Sequence, residues 1–172
     1  MAETLTWQID DLPPGFAWDG EAEKVLQLVD GAFAPIERPV HFTDVGHCCE
    51  CLEHDKELKA RPRMALRRAD LGHAGWDPVC FTSVQGVAYL MPALARYTMA
   101  PDFWPDREWY AVQMVSHLTF DGPDNRLVHS FDVEQKEAIA ALIAWCIAHR
   151  AEDLAHYGDV DAWLSAAEIW QA

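Results

Sequence analysis

The run "DVEQKEAIAALIAWCIAHRAEDLAHYG", residues 132–158, limits the fold more than any other part of the chain. Ile139, Leu142, Ile143, Cys146 and Ile147 recur at spacings of three and four, which places them on one face of an α-helix and scatters them over both faces of a strand. Asp132 and Gln135 stand in capping-box register at its start, and Gly158 is the first residue suited to ending it. A helix with so broad an apolar face must bury it against other helices, so the spacing predicts a mainly α protein with little or no strand. Cys146 lies on the buried face and is predicted to serve as packing.

Other segments agree. Asp19 is placed to cap a helix whose inner face carries Val25, Leu28, Val29, Ala32 and Phe33 before Pro35 stops it. Ser83 can cap "VQGVAYLMPALARYTM", where Pro92 is expected to kink the helix or divide it. A further helix is predicted over "DREWYAVQMVSHL", a turn over "DGPDN" and a last helix over "VDAWLSAAEIW". "TLTWQI" has the composition of a short strand, cut off by the prolines of "DDLPPGFAWDG". With 172 residues, 51% of them hydrophobic, and no repeat or linker, the chain is expected to form one compact domain, 1–172.

The stretch "HFTDVGHCCECLEHD", residues 41–55, concentrates thiols, imidazoles and carboxylates. Zinc takes four tetrahedral ligands, and C-x-x-C supplies two that a tight turn brings together. Cys48, Cys51 and His54 are the predicted ligands. In one continuous helix Cys48 and His54 would stand about 9 Å apart along the axis, so Cys48 is predicted in a loop, made feasible by Gly46, with the helix beginning near Cys51. His41, His47 or Cys80 is the candidate fourth ligand, and residues 41–80 form the candidate metal-stabilised segment. A second geometry uses His47, Cys51 and His54 on a continuous helix and leaves out Cys48. Two other accounts compete. Cys48, Cys51 and Leu52 could face the core with His47 and His54 at its edge. One of Cys48, Cys49 or Cys51 could instead be a nucleophile, with His41 or His47 as base and Asp44 or Asp55 orienting it. A thioredoxin-like pair is disfavoured because no βαβ pattern leads into the motif.

Charge restricts the partners. Thirteen Lys and Arg against 28 Asp and Glu give a formal net charge of −15, which repels nucleic acid and anionic membrane. Residues 56–68 hold six of the thirteen basic side chains and are expected to form a solvated helix and turn, the alternative being a surface for phosphate or an acidic ligand. Five cysteines, three of them crowded together, suit a reducing compartment, and the acidic start "MAETLTWQIDDLPPG" lacks the basic region of a secretory signal. A cytoplasmic protein is expected, and no segment approaches the roughly 20 apolar residues of a membrane span.

"RPVHFTDVGHCCECLEHDKEL", "WDPVCFTSVQGVAYLMPALAR" and "FDVEQKEAIAALIAW" together resemble a family of small bacterial proteins known only as a domain of unknown function, with C-x-E-C-x-E-H-D-like and W-D-P-x-C-F motifs. The resemblance spans residues 33–145. It implies a helical bacterial protein and carries no activity or catalytic residue. No phosphate loop, dinucleotide fingerprint, G-x-S-x-G or H-E-x-x-H is present. The expected function is that of a non-enzymatic acidic interaction protein, of immunity, inhibitor or accessory type, with a structural zinc site and a partner that is basic on the contacting face. One alternative is a metal-dependent hydrolase with Glu50, Glu53 or Asp55 as base; another is an acidic nucleic-acid mimic. A thiol-rich ligand set favours structural over catalytic zinc.

Overall fold

The computed structural model describes Trp7 and residues 12–171; the strand expected over "TLTWQI" lies outside the described residues except for Trp7, which belongs to no regular element. Among the described residues there are eight α-helices and no sheet: α1 Gly20–Phe33, α2 Cys49–Lys59, α3 Val84–Met99, α4 Tyr110–Thr119, α5 Arg126–Ser130, α6 Val133–His149, α7 Ala151–Tyr157 and α8 Val160–Trp170. Three short 3-10 turns, Arg63–Ala65, Arg68–Leu71 and Pro78–Phe81, connect α2 to α3. The fold is mainly α, as the patterning requires.

Helix α3 is the axis of the molecule. Its run from Gly86 to Met99 is buried on every side, and α1 and α4 pack against it. The helix passes through Pro92 undivided. Helix α6 lies against both α1 and α8, and α8 also covers α4, so the apolar faces close on one core. The caps form as predicted: Asp19 accepts from the Glu21 and Ala22 amides at 3.0 and 2.8 Å, Ser83 from Gly86 at 3.1 Å, and Asp132 from Gln135 at 2.9 Å. The Gln135 carboxamide accepts from the Asp132 amide in return, completing the capping box.

Four expectations need correction. On α1 the expected Val29 and Phe33 are fully buried and Val25 and Ala32 pack partly buried against the core, together with Ala22 and Leu26, while Leu28 is exposed. Helix α4 begins at Tyr110, four residues after Asp106, with Trp109 as its cap. The long C-terminal helix is broken at Arg150, whose φ of −122° and ψ of 23° separate α6 from α7. Arg150 is drawn out of line by the Met99 carbonyl at the end of α3, which accepts from its Nε and Nη2 at 3.0 and 2.8 Å. Gly158 then ends α7 with a φ of 75°.

The fourth correction concerns the basic segment. Arg63 and Arg68 are buried rather than solvated. Arg63 donates to the carbonyls of Phe33, Ala34 and Tyr89, and Arg68 to those of Gly72 and Glu108 and to Gln113 Oε1. These guanidiniums donate to main-chain carbonyls of α1, α3 and the approach to α4, and so fix the irregular connection to those elements.

Candidate metal centre

Residues 45–47 form a turn, held where the Asp44 carboxylate accepts from the Gly46 amide at 3.1 Å and the Asp44 carbonyl from the His47 amide at 3.0 Å. The chain then extends at Cys48, with φ −161° and ψ 171°, and α2 starts at Cys49. Cys48 is thus the N-cap, outside the helix as the spacing demanded. Its sulfur accepts from the Cys51 amide at 3.4 Å. A continuous helix through His47 is overturned by this start.

One helical turn later the Cys51 side chain returns to the same point. The two sulfurs are 3.3 Å apart, and Cys51 Sγ is 3.6 Å from His47 Nδ1. Ligand atoms of His47, Cys48 and Cys51 all lie within 4.8 Å of one another. Tetrahedral zinc, with bonds of about 2.3 Å to sulfur and about 2.0–2.1 Å to nitrogen, sets sulfur pairs about 3.8 Å and sulfur–nitrogen pairs about 3.6 Å apart. The observed spacings fit a single ion at the centroid after a small opening of the sulfurs. His47 is exposed, Cys48 half-buried and Cys51 buried, so the group opens outward from α2.

The helix start also polarises the thiols. The Cys51 amide, the Cys51 thiol and His47 hold the Cys48 thiol below its ordinary range, while donation toward Cys48 and burial push Cys51 up. Cys48 is therefore the first of the pair to become thiolate.

The remaining predicted ligands take other partners. His54 is fully buried, its ring 4.5 Å from Trp76 and stacked 5.1 Å from Phe81, with Nδ1 3.3 Å from Glu57 and Nε2 3.6 Å from Glu50. It joins α2 to the Pro78–Phe81 turn and stands outside the His47–Cys48–Cys51 group. His41 Nδ1 lies 2.9 Å from Asp55 Oδ2, and the other oxygen of Asp55 accepts from the Phe42 amide at 2.6 Å. Burial opposes the charge on Asp55, but His41, the Phe42 amide and Lys59 outweigh it and hold the carboxyl below its usual range. Asp55 is thereby committed to the loop that leads into the site. The Thr43 hydroxyl completes that loop by donating to the Cys51 carbonyl at 2.6 Å.

Cys80 belongs to a second group, with Asp77 and His117. Asp77 Oδ1 accepts from the Val79 amide at 2.9 Å and Oδ2 lies 3.0 Å from His117 Nε2. Burial disfavours a charged His117, yet hydrogen bonds to Asp77 and Cys80 raise it to about 9. Burial likewise opposes ionisation of Asp77, and His117 reverses the effect and lowers its pKa. Sequence reasoning saw Cys80 and missed this group, because His117 is 40 residues from Asp77 and sits on the half-exposed side of α4. The available signal was that His117 interrupts an apolar helix in register with the buried Gln113 and Met114.

Comparison with known proteins adds no function: the chain matches no family model, no curated protein and no solved structure.

Proposed function

We propose that the protein is an acidic interaction protein whose binding loop is pinned by a zinc ion held through His47, Cys48 and Cys51. The observation that carries this reading is the return of one imidazole and two thiols to one point at the start of α2. Two thiolates and an imidazole are the donors zinc prefers, and three ligands leave the fourth position to solvent or to a donor from a partner. Asp44, Glu53 and Glu57 are exposed on the same loop and helix. With the −15 net charge they favour a partner that is basic where it touches. The reduced thiols suit a cytoplasmic setting, and no helix among the described residues is long and apolar enough to cross a membrane.

The test is metal analysis of the purified, untagged protein and of Cys51→Ser. Wild type should carry one zinc per chain. The variant should lose most of it together with thermal stability, since binding energy at such a site is also folding energy. Unchanged stoichiometry in Cys51→Ser would sink the assignment.

A second reading draws on the 3.3 Å sulfur separation and the unequal thiols, which also suit a dithiol that closes to a disulfide when oxidised. A metal-free protein whose Cys48 and Cys51 oxidise to a mass two daltons lower would select it.

A further inference from the structure

The Asp77, Cys80 and His117 group takes no part in the zinc-pinned loop, and its members come together from two separate elements. Asp77 caps the Pro78–Phe81 turn, and the Cys80 amide donates to the Asp77 carbonyl at 3.2 Å. Residues three apart in a 3-10 turn eclipse one another, so carboxylate and thiol share one side of it. His117 meets them from α4. Its Nε2 lies 3.0 Å from Asp77 Oδ2, and ligand atoms of all three residues lie within 4.8 Å of one another.

We propose that Asp77, Cys80 and His117 form a second divalent-metal site, suited to zinc, that fills after the first and keeps its fourth position open toward the adjoining cavity. It goes beyond the binding role above and shares no ligand with the His47, Cys48 and Cys51 centre.

The donors are held for this use. The Val79 amide fixes Asp77 Oδ1 at 2.9 Å, which leaves Oδ2 to face His117, and the buried Asn125 carboxamide holds the His117 carbonyl at 2.8 Å. Tetrahedral zinc, with bonds of about 2.0–2.1 Å to nitrogen and oxygen, sets such atoms about 3.3 Å apart. Oδ2 and Nε2 need only a few tenths of an ångström to admit the ion. One thiolate, one imidazole and one carboxylate are donors that zinc accepts together, and three protein ligands are the number that leaves a position for an exchangeable fourth.

Access supports the same placement. Cys80 and His117 both line a cavity of about 350 Å³ whose wall includes Val79, Val87, Phe120 and Leu127. Cys80 is exposed, whereas the side chains of His117 and Asp77 are 10% and 5% accessible, so an ion enters past the thiol and is held from behind by the other two. Entry exchanges protons for metal. The ion takes the place of the proton held between Asp77 and His117 and of the proton on the Cys80 thiol, both of which pass to water. That competition, and a single thiolate where the first centre has two, make this the weaker site, filled only when metal is supplied beyond one equivalent.

Cobalt(II) is the probe, because it occupies tetrahedral zinc sites and its binding can be counted by titration. Intact, untagged protein is stripped with chelator and titrated at about pH 8, where protons compete less with the ligands. Wild type should take two ions per chain, and Cys80→Ser and Cys51→Ser should each take one. Because Cys80 is exposed, its serine variant is expected to fold as wild type does. His117→Gln should weaken the second binding step by at least about 100-fold. A Cys80→Ser protein that binds as many ions as wild type would overturn the proposal, as would a second step of undiminished affinity in His117→Gln. If His117→Gln fails to fold, Cys80→Ser decides alone. The two metal sites fail separately: a wild type that takes a single ion, lost in Cys51→Ser and kept in Cys80→Ser, removes this one, and the reverse pattern supports it and removes the first.

Discussion

At the scale of single residues, His117 and Asp77 show how burial and pairing together set a titration. A histidine taken out of water should lose its charge more easily, yet His117 rises from 6.5 to about 9 because the Asp77 carboxylate lies 3.0 Å away. The sign follows from linkage. His117 is raised in the folded state, so its contribution is complete below about pH 6.5 and fades as pH climbs through about 9. Asp77 is lowered, so its contribution is present above about pH 3.8 and is lost as pH falls below that. The pair therefore stabilises most between those limits. Urea unfolding should show wild-type stability declining from pH 6.5 to pH 9 by on the order of 3 kcal/mol, and His117→Gln should flatten that decline. An identical slope in both proteins would contradict the assignment. Cys146 behaves in the opposite way: wholly buried on the inner face of α6, its thiol is pushed far up by desolvation, which the charge of Arg150 offsets only in part. Cys146→Ala should cost about 1 kcal/mol of packing and leave metal content unchanged.

At the scale of elements, what the sequence made legible was whatever is decided locally. The caps Asp19, Ser83 and Asp132 could be read because a cap bonds amides two or three residues away. Cys48 and Cys51 could be paired because a helix start brings residues three apart together. The break at Arg150 could not be foreseen, since its cause is the Met99 carbonyl 51 residues away. His54 was a reasonable ligand by spacing, but Trp76 and Phe81 claim its ring from another part of the chain. The same holds for the basic segment, where a run of arginines that reads as solvated serves as an internal clasp. Arg68 spans the Arg68–Leu71 turn and the approach to α4, and its guanidinium lies 5.2 Å from the centre of the Tyr110 ring. Arg68→Met should keep the volume but strand the Gly72 and Glu108 carbonyls and Gln113, at a cost of at least about 2 kcal/mol. A urea midpoint equal to that of wild type would return Arg68 to the surface role.

At the scale of the whole molecule, the helical core and the loop that carries the candidate zinc site meet through few groups of known kind. Residues 41–48 are tied to α2 by Asp55 and by the Thr43 hydroxyl, and to the start of α3 by the Phe42 carbonyl, which accepts from the Ser83 amide at 2.7 Å. The Pro78–Phe81 turn reaches α2 through the ring of His54, with no ligand shared between the two segments. The core, in contrast, closes on itself through α1, α3, α6 and α8. The acidic field extends over the entire chain, so association with a basic partner should slow several-fold as salt is raised from about 10 mM to about 150 mM, where the screening length falls from about 30 to about 8 Å. Chelation reaches only the loop. If zinc joins His47, Cys48 and Cys51, its removal should raise hydrogen exchange in residues 43–55 first, because the N-terminal turn of α2 loses its anchor while the Asp55 bonds further along remain. Residues 71–80 should respond weakly, in proportion to what His54 transmits, and amides of α6 should keep their protection, since Ile139, Leu142 and Ile143 are buried in the helical core. Exchange measured with and without chelator separates the cases. Equal deprotection of residues 43–55 and 71–80 would mean that Cys80 shares the ion after all, and loss of protection in α6 would mean that the metal holds the core and not the loop.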